Sequence, residues 1–220
     1  MRLSIIIPAY NEEDCIASSL RRVSAILKKH FVYEIILVDD GSTDDTYGEA
    51  FSVKKQTHTR IFSYEKNKGK GYAVRYGLLK AKYKTKVILD ADLSISPREL
   101  LEVDFKQKFD ILKGERRQIV KQPLHRIFAG KVFRQIVSEM FDLDFDSQSP
   151  FTILRLPKNF YKGLKIDGFA FDVEILYKAM KENSRIITKE VYYFNDRDTR
   201  VTLLKTIAMF FELLRIRIKN

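Results

Sequence analysis

Residues 87–93 read Val87-Ile-Leu-Asp-Ala-Asp-Leu93, a short apolar run that ends on two carboxylates one alanine apart. An apolar run of this length, expected as a strand over residues 86–89, is the fourth of its kind in the first ninety residues. Residues 3–8 make the first, 34–38 the second and 60–64 the third. Helical patterns separate them. Residues 12–29 carry Ile16, Leu20, Val23 and Leu27 on one face, with Asn11 as N-cap and Glu12, Glu13 and Asp14 at the positive end of the helix dipole. Residues 71–82 form another helix, and Ser96 and Pro97 read as the N-cap and first residue of a further one. This β-α-β-α order implies an α/β fold: a mostly parallel sheet flanked by helices. Ligands of such sheets bind beyond the carboxyl ends of the strands. The polar clusters at 10–12, 39–44 and 90–92 therefore converge on one crevice.

The second half is less regular. Residues 109–113 and 151–154 read as strands, and 124–140 and 171–183 as helices. No internal repeat, low-complexity tract or linker interrupts the chain, so its 220 residues are expected to form a single domain.

With 45% hydrophobic and 31% charged residues the composition is that of an ordinary folded domain. Forty Lys and Arg against 29 Asp and Glu give a net charge of +11, which favours an anionic partner without choosing between nucleic acid, a phosphate-rich ligand and an anionic membrane face. Cys15 is the single cysteine, which excludes an intramolecular disulfide and, within the first helix, reads as a small core residue. The apolar run at the N-terminus stops at Pro8, too soon for a signal peptide, and no stretch approaches the ~18 apolar residues of a membrane span. The expectation is a soluble or peripheral protein.

If the extended geometry persists, Asp90 and Asp92 lie on the same side of the strand and can share one hard cation. Mg2+ or Mn2+ held there bridges to a diphosphate and neutralises a leaving group. The plainer alternative is a turn in which Asp92 or Ser94 caps the next segment. The turn Asp39-Asp-Gly-Ser-Thr-Asp44 is likewise either a strand-to-helix connection capped by Ser42 or Thr43, or a ligand loop. In the second case an Asp accepts the N3–H of uracil, Gly41 admits a ligand close to the backbone, and Tyr10, after Pro8 and Ala9, packs on the base.

Four segments taken together are similar to successive signatures of glycosyltransferase family 2. They are Ile7-Pro-Ala-Tyr-Asn-Glu12, Val38-Asp-Asp-Gly-Ser-Thr-Asp44, Asn67-Lys-Gly-Lys-Gly-Tyr-Ala-Val-Arg75 and Leu89-Asp-Ala-Asp-Leu-Ser94. The branch most resembled is the dolichyl-phosphate β-glucosyltransferases and their relatives, the dolichyl-phosphate mannose synthases. Lys113-Gly-Glu-Arg116, Gly168-Phe-Ala-Phe-Asp-Val-Glu-Ile-Leu-Tyr177 and Leu213-Leu-Arg-Ile-Arg217 extend the likeness. Asp146-Ser-Gln-Ser-Pro-Phe-Thr-Ile-Leu154 resembles the family's Asp-Thr-Gln-Cys-Gly-Phe-Lys-Leu, with Pro150 and Thr152 replacing a glycine and a basic residue. Arg197-Asp-Thr-Arg200 stands where the family tends to have a Gly-Ser-Lys-type loop.

The resemblance implies a GT-A fold, with a nucleotide-sugar donor half at 1–100, an acceptor half at 101–200, and 201–220 as a terminal helix. It implies that Asp40 reads the base, Tyr10 stacks on it, Asp92 is the principal metal ligand and Asp90 supports metal and phosphates. Ser94 approaches through water. Pro8, Ala9, Asn11, Glu12, Asp39, Gly41, Ser42 and Ala91 complete the donor site. Lys70, Arg75, Arg116 and Arg117 are phosphate contacts or, alternatively, a solvated basic surface. The reaction implied is an inverting, metal-dependent transfer of a hexose, glucose from UDP-glucose, to a polyprenyl or dolichyl phosphate. Alternatives are GDP-mannose or another donor with a non-lipid acceptor.

Asp172 occupies the place of an acceptor-side base, with Glu174 and Asp146 as rivals. A lipid phosphate is already anionic, so a helix-start role for Asp172 stands beside the catalytic one. From 201 to 218 most residues are apolar (Leu203, Leu204, Ile207, Phe210, Phe211, Leu214, Ile218), with Lys205, Glu212, Arg215 and Lys219 on a narrower polar face. This is either a core-packed helix or an interfacial one on the cytoplasmic face of a membrane, and the basic ending favours the membrane. A nucleotidyltransferase would need a Gly-rich loop after the first strand, where Pro8-Ala-Tyr-Asn-Glu12 stands. A nucleic-acid binder would interleave basic residues with stacking aromatics, whereas here acidic residues gather at strand ends. No nucleic-acid partner is expected.

Overall fold

The four apolar runs become four parallel strands, β1 (Arg2–Ala9), β2 (Val32–Asp39), β3 (Thr59–Ser63) and β4 (Thr85–Ile88), in a computed structural model that describes residues 1–118, 124–194 and 203–219. Three further strands, β5 (Ile111–Gln118), β6 (Thr152–Leu154) and β7 (Ile186–Tyr193), complete a seven-stranded sheet of order β3-β2-β1-β4-β6-β5-β7. β6 runs antiparallel to both β4 and β5, while β7 is parallel to β5. The sheet is thus mostly parallel, as the sequence implies.

Both faces of β1 and β2 are covered, which is why they read as unbroken apolar runs rather than alternating ones. Ile5, Ile7, Ile35 and Leu37 pack with Ile16, Leu20, Val23 and Leu27 of α1 (Ile16–Leu27). On the other face Ile6 meets Val74 and Leu78 of α3 (Lys70–Lys80) and belongs to the same core as Val173 and Leu176 of α6 (Phe171–Lys181). α2 (Thr46–Thr57) buries Thr46, Ala50, Val53 and Thr57. That stripe is too small and polar to register as apolar periodicity. α4 (Leu124–Phe141), α5 (Lys158–Lys162) and α7 (Leu203–Lys219) complete the helices, and Pro97–Glu102 is a 3-10 helix capped by Ser96, whose Oγ accepts the Arg98 N–H at 3.3 Å.

Two local expectations fail. α1 begins at Ile16 rather than residue 12, with Cys15 at the N-cap position. Asn11 is no cap: its φ is 55°, and its side-chain oxygen accepts the Thr43 N–H at 2.8 Å. β4 ends two residues before Asp90, and the Leu93 N–H to Asp90 carbonyl bond (3.1 Å) closes a turn. The carboxylates of Asp90 and Asp92 are therefore brought together by a turn and not by strand alternation.

α7 seats Met209, Leu213 and Ile216 inward and leaves Phe210, Phe211, Leu214 and Ile218 exposed, the last 82% so. Glu212, expected on the polar face, turns inward, and its Oε2 accepts the Ala170 N–H at 3.0 Å. The side chains of Leu203, Leu204, Lys205, Ile207 and Lys219, and the segment Arg197-Asp-Thr-Arg200, lie outside the described residues. No helix among the described residues is long and apolar enough to cross a membrane.

Candidate active site

The loops that leave β1 and β2 are bonded to one another. Asn11 N–H donates to Ser42 Oγ (2.9 Å), Glu12 N–H to Thr46 Oγ1 (2.7 Å), and Asp45 N–H to Glu13 Oε2 (2.8 Å). Pro8 and Ala9 end β1, and the Ala9 carbonyl accepts the Asp40 N–H at 2.8 Å. Tyr10, the next residue along, is 38% exposed at the rim of the crevice.

Asp39 and Asp40 are both buried and both engaged. Asp39 accepts from Ser42 N–H (3.1 Å) and Ser63 Oγ (3.0 Å). Asp40 accepts from the Tyr64 hydroxyl (2.6 Å) and from the N–H groups of Lys68 (2.9 Å) and Gly69 (3.0 Å). A carboxylate has about four acceptor positions, so Asp40 organises the 64–69 loop and keeps room for one more donor. Gly41, with φ +68°, serves the same loop. A Cβ there would stand 2.6 Å from the backbone of Lys66 and Asn67. The close approach that requires this glycine is made by the protein's own chain, where the sequence suggested a ligand.

Gly69 (φ +101°) opens α3 and lets the Asp167 carbonyl come closer than any Cβ would allow. α3 is thereby docked on the 167–168 segment, through Gly71 N–H to Gly168 O and Tyr72 N–H to Asp167 O, both 3.1 Å. This places Lys70, the first residue of α3, with its Nζ 2.7 Å from Asp90 Oδ1. Burial alone would lower the Lys70 ammonium, but Asp90 foremost, with Asp172 and Asp92, holds the group above its usual range. Burial, and then the charge of Asp90, pushes the Asp92 carboxyl up. Asp92 Oδ1 accepts the Ser94 N–H at 2.9 Å, and Ala91 beside it is buried.

Two crowded carboxylates at the carboxyl end of the sheet form a hard-oxygen donor set that fits a divalent cation, and in the structure the Lys70 ammonium is the positive charge paired with Asp90 Oδ1. Among the described residues no group of three or more His, Cys, Asp or Glu is arranged to hold a metal unaided. A cation held by this pair would take its other ligands from a diphosphate and water.

Across the crevice Asp172, the second residue of α6, is buried, and its Oδ1 receives Lys113 Nζ at 3.0 Å. Burial raises its carboxyl pKa, opposed by the charges of Lys113 and Lys70. Asp146 is gripped by Arg116 through two bonds, Nε at 2.5 Å and Nη2 at 2.9 Å. Burial alone would raise Asp146, but Arg116 holds it below the usual carboxylate range, which disfavours it as a base. Glu174 is spent on backbone: it accepts the N–H groups of Lys165 (2.7 Å) and Ile166 (2.9 Å).

The structure does not bring all the basic candidates together. Arg116 and Arg117 are consecutive on β5 and so point to opposite faces of the sheet. Arg117 is exposed, 3.6 Å from Glu190. Arg75 reaches Asp167 at 2.7 Å and the Leu164 carbonyl at 3.2 Å, bracing that loop. Sequence reasoning did not single out Lys113 or Tyr64. The available signal for Lys113 was a lysine directly after Ile111 and Leu112, on the strand expected over 109–113.

Residues 4–119 match the family model "Glycosyl transferase family 2". The chain is 31% identical to the dolichyl-phosphate beta-glucosyltransferase of Drosophila melanogaster, over 87% of this chain and 66% of the relative, just under two thirds of it. It is 29% identical to the enzyme of that name from Dictyostelium discoideum, over 99% and 74%. Among solved structures, glucosyl-3-phosphoglycerate synthase from Mycobacterium tuberculosis, in complex with Mn2+, UDP and glucosyl-3-phosphoglycerate, superposes with a TM-score of 0.76 at 19% identity, covering 98% of this chain and 79% of that one. That likeness speaks for the fold, which is GT-A. The family signatures found at the strand ends and the match across more than half of the chain agree: this protein is a glycosyltransferase and belongs to family 2.

Proposed function

We propose that the protein transfers a hexose, glucose from UDP-glucose, to a polyprenyl or dolichyl phosphate at a membrane surface, with inversion and with Mg2+ or Mn2+. The observation that carries this reading is the cluster of Lys70, Asp90 and Asp92 at the carboxyl end of the sheet, two neighbouring carboxylates with an ammonium 2.7 Å from one of them. The resemblance to dolichyl-phosphate beta-glucosyltransferases supports glucose and a lipid phosphate. A fold neighbour bound to Mn2+ and UDP supports the metal and the nucleotide.

Tyr10 packs on the base and Asp40 uses its remaining acceptor position for the base N–H. Asp90 and Asp92 would hold the cation, which when bound neutralises charge on the departing diphosphate. Lys70 lies beside them and supplies a second positive charge for the diphosphate. An oxygen of the acceptor phosphate attacks the anomeric carbon from the opposite face. As the new C–O bond forms, the bond to the diphosphate breaks, and the nucleoside diphosphate leaves with the electron pair. The nucleophile is already an anion, so no proton need be removed from it, and Asp172 serves to position the acceptor side of the site rather than as a base. Catalysis then rests on positioning and charge. The exposed Phe210, Phe211, Leu214 and Ile218 on α7 support an interfacial contact with the membrane carrying the acceptor.

Titration calorimetry with UDP-glucose, UDP and GDP-mannose, with and without manganese, tests the donor site. The expected result is manganese-dependent binding of UDP-glucose, weakened about tenfold or more in Asp92→Ala, on the order of 1.4 kcal/mol. Preference for GDP-mannose sinks the choice of donor. Metal-independent binding in both proteins sinks the clamp. Mass spectrometry of the product formed on dolichyl phosphate reads the acceptor.

A further inference from the structure

Lys113 is wholly buried, an uncommon state for a lysine. Its ammonium is fully used, donating to Ser149 O at 2.8 Å, Thr152 Oγ1 at 2.9 Å and Asp172 Oδ1 at 3.0 Å. A buried ion pair is a poor way to gain stability, because apolar residues of similar volume often serve as well or better. The arrangement therefore calls for a reason beyond packing. Its three acceptors sit on different segments: the chain before β6, β6 itself, and the first turn of α6. They fix the ammonium in place, and the ammonium fixes one oxygen of Asp172.

The strand register adds an independent observation. Lys113 of β5 pairs directly with Thr152 of β6, so the contact with the Thr152 hydroxyl is built into the sheet. Here the positive charge arrives from the neighbouring strand and lands on the Thr152 hydroxyl. Gly71, next to Lys70, packs so closely on Phe171, next to Asp172, that a Cβ on it would stand 2.7 Å from the Phe171 Cβ, which sets the buried pair beside the donor cluster. A bare carboxylate there would repel both an anionic acceptor and a departing diphosphate. Paired with an ammonium it adds little net charge and cannot swing.

We propose that Lys113 is a positioning residue for glycosyl transfer: it holds Asp172 in place, with its charge balanced, on the acceptor side of the Lys70–Asp90–Asp92 cluster. This inference rests on the glycosyl-transfer reading given above. Lys113 touches no reactant itself and acts through Asp172.

A kinetic double-mutant cycle tests it, using the full chain with UDP-glucose, manganese and dolichyl phosphate, and the variants Lys113→Met, Asp172→Asn and both together. Each single change is expected to lower kcat by roughly 10- to 100-fold while KM for UDP-glucose stays within about threefold. Since the lysine acts through the aspartate, the double variant is expected to be no slower than the slower single one. Exchanging the pair, Lys113→Thr with Thr152→Lys, returns the ammonium from the opposite strand and is expected to recover most of the lost kcat. Losses that multiply in the double variant, or a kcat for Lys113→Met within about twofold of wild type, overturn the inference alone. So does an exchange variant that is folded by near-ultraviolet circular dichroism yet as slow as Lys113→Met; should Lys113→Met not fold, the exchange decides. A wild-type protein that neither binds UDP-glucose nor transfers hexose overturns the glycosyl-transfer reading and this inference with it.

Discussion

Asp39 and Asp40 stand side by side, equally buried, and differ in what they organise: Asp39 closes its own turn and ties it to the end of β3 at Ser63, and Asp40 gathers the 64–69 loop that follows. Sequence can mark such a pair as special but cannot say which partners each takes, because those partners arrive from other elements. Gly41 makes the same point, since a close approach at its backbone was legible and the identity of what approaches, the chain's own Lys66 and Asn67, was not. Lys86 is a third case. It is buried on β4, and burial, then Lys158 and Lys84, lower its pKa from 10.5 to about 8. Between those values the unfolded chain binds a proton that the native state has released, so this group's contribution to stability is lowest below pH 8 and rises with pH through the window. Thermal melts of Lys86→Met should accordingly show a raised Tm at pH 7 and a smaller gain at pH 10. A gain that is larger at pH 10 would contradict the shift. That Asp90 and Asp92 lie close together was readable from their spacing, although the turn that joins them was not.

Among the elements, β1, β2 and β4 were legible because a strand covered on both faces leaves an unbroken apolar run. β7 was missed because an edge strand with half-exposed side chains, Ile186-Ile-Thr-Lys-Glu-Val-Tyr-Tyr193, shows neither a run nor clean alternation. α7 was legible as amphipathic, yet its inward face was misassigned: Glu212 looked solvent-facing and is used on the loop before α6. That difference changes how membrane contact is tested. Deleting the helix also removes Met209, Leu213 and Ile216 from the core. Phe211→Glu with Ile218→Glu is the cleaner variant, since both side chains are already exposed. Full burial of either native side chain in an apolar phase is worth about 1.5–3 kcal/mol, so the paired change is expected to abolish cosedimentation with anionic liposomes while Tm moves by less than about 2 °C. Equal pelleting of both proteins would count against the interfacial reading.

For the whole molecule, the fold was predictable because one chain order, β-α-β-α, admits few parallel sheets, and those place their loops at one edge. The +11 charge added less, since it favoured anionic partners in general. What no reading of the sequence supplied is the route by which the terminal helix meets the site. Glu212 of α7 receives the Ala170 N–H, the 167–168 carbonyls receive the first turn of α3, and α3 begins with Lys70 beside Asp90. Such a chain of contacts obliges reciprocity: if settling α7 on a bilayer tightens donor binding, bound donor must tighten bilayer binding by the same factor. Flotation of the protein with liposomes, with and without UDP-glucose and manganese, set against donor titrations with and without liposomes, should return two equal ratios above one. Ratios of one would make the helix a passive anchor. Otherwise the enzyme is a two-input device, loading its sugar best where its acceptor is within reach.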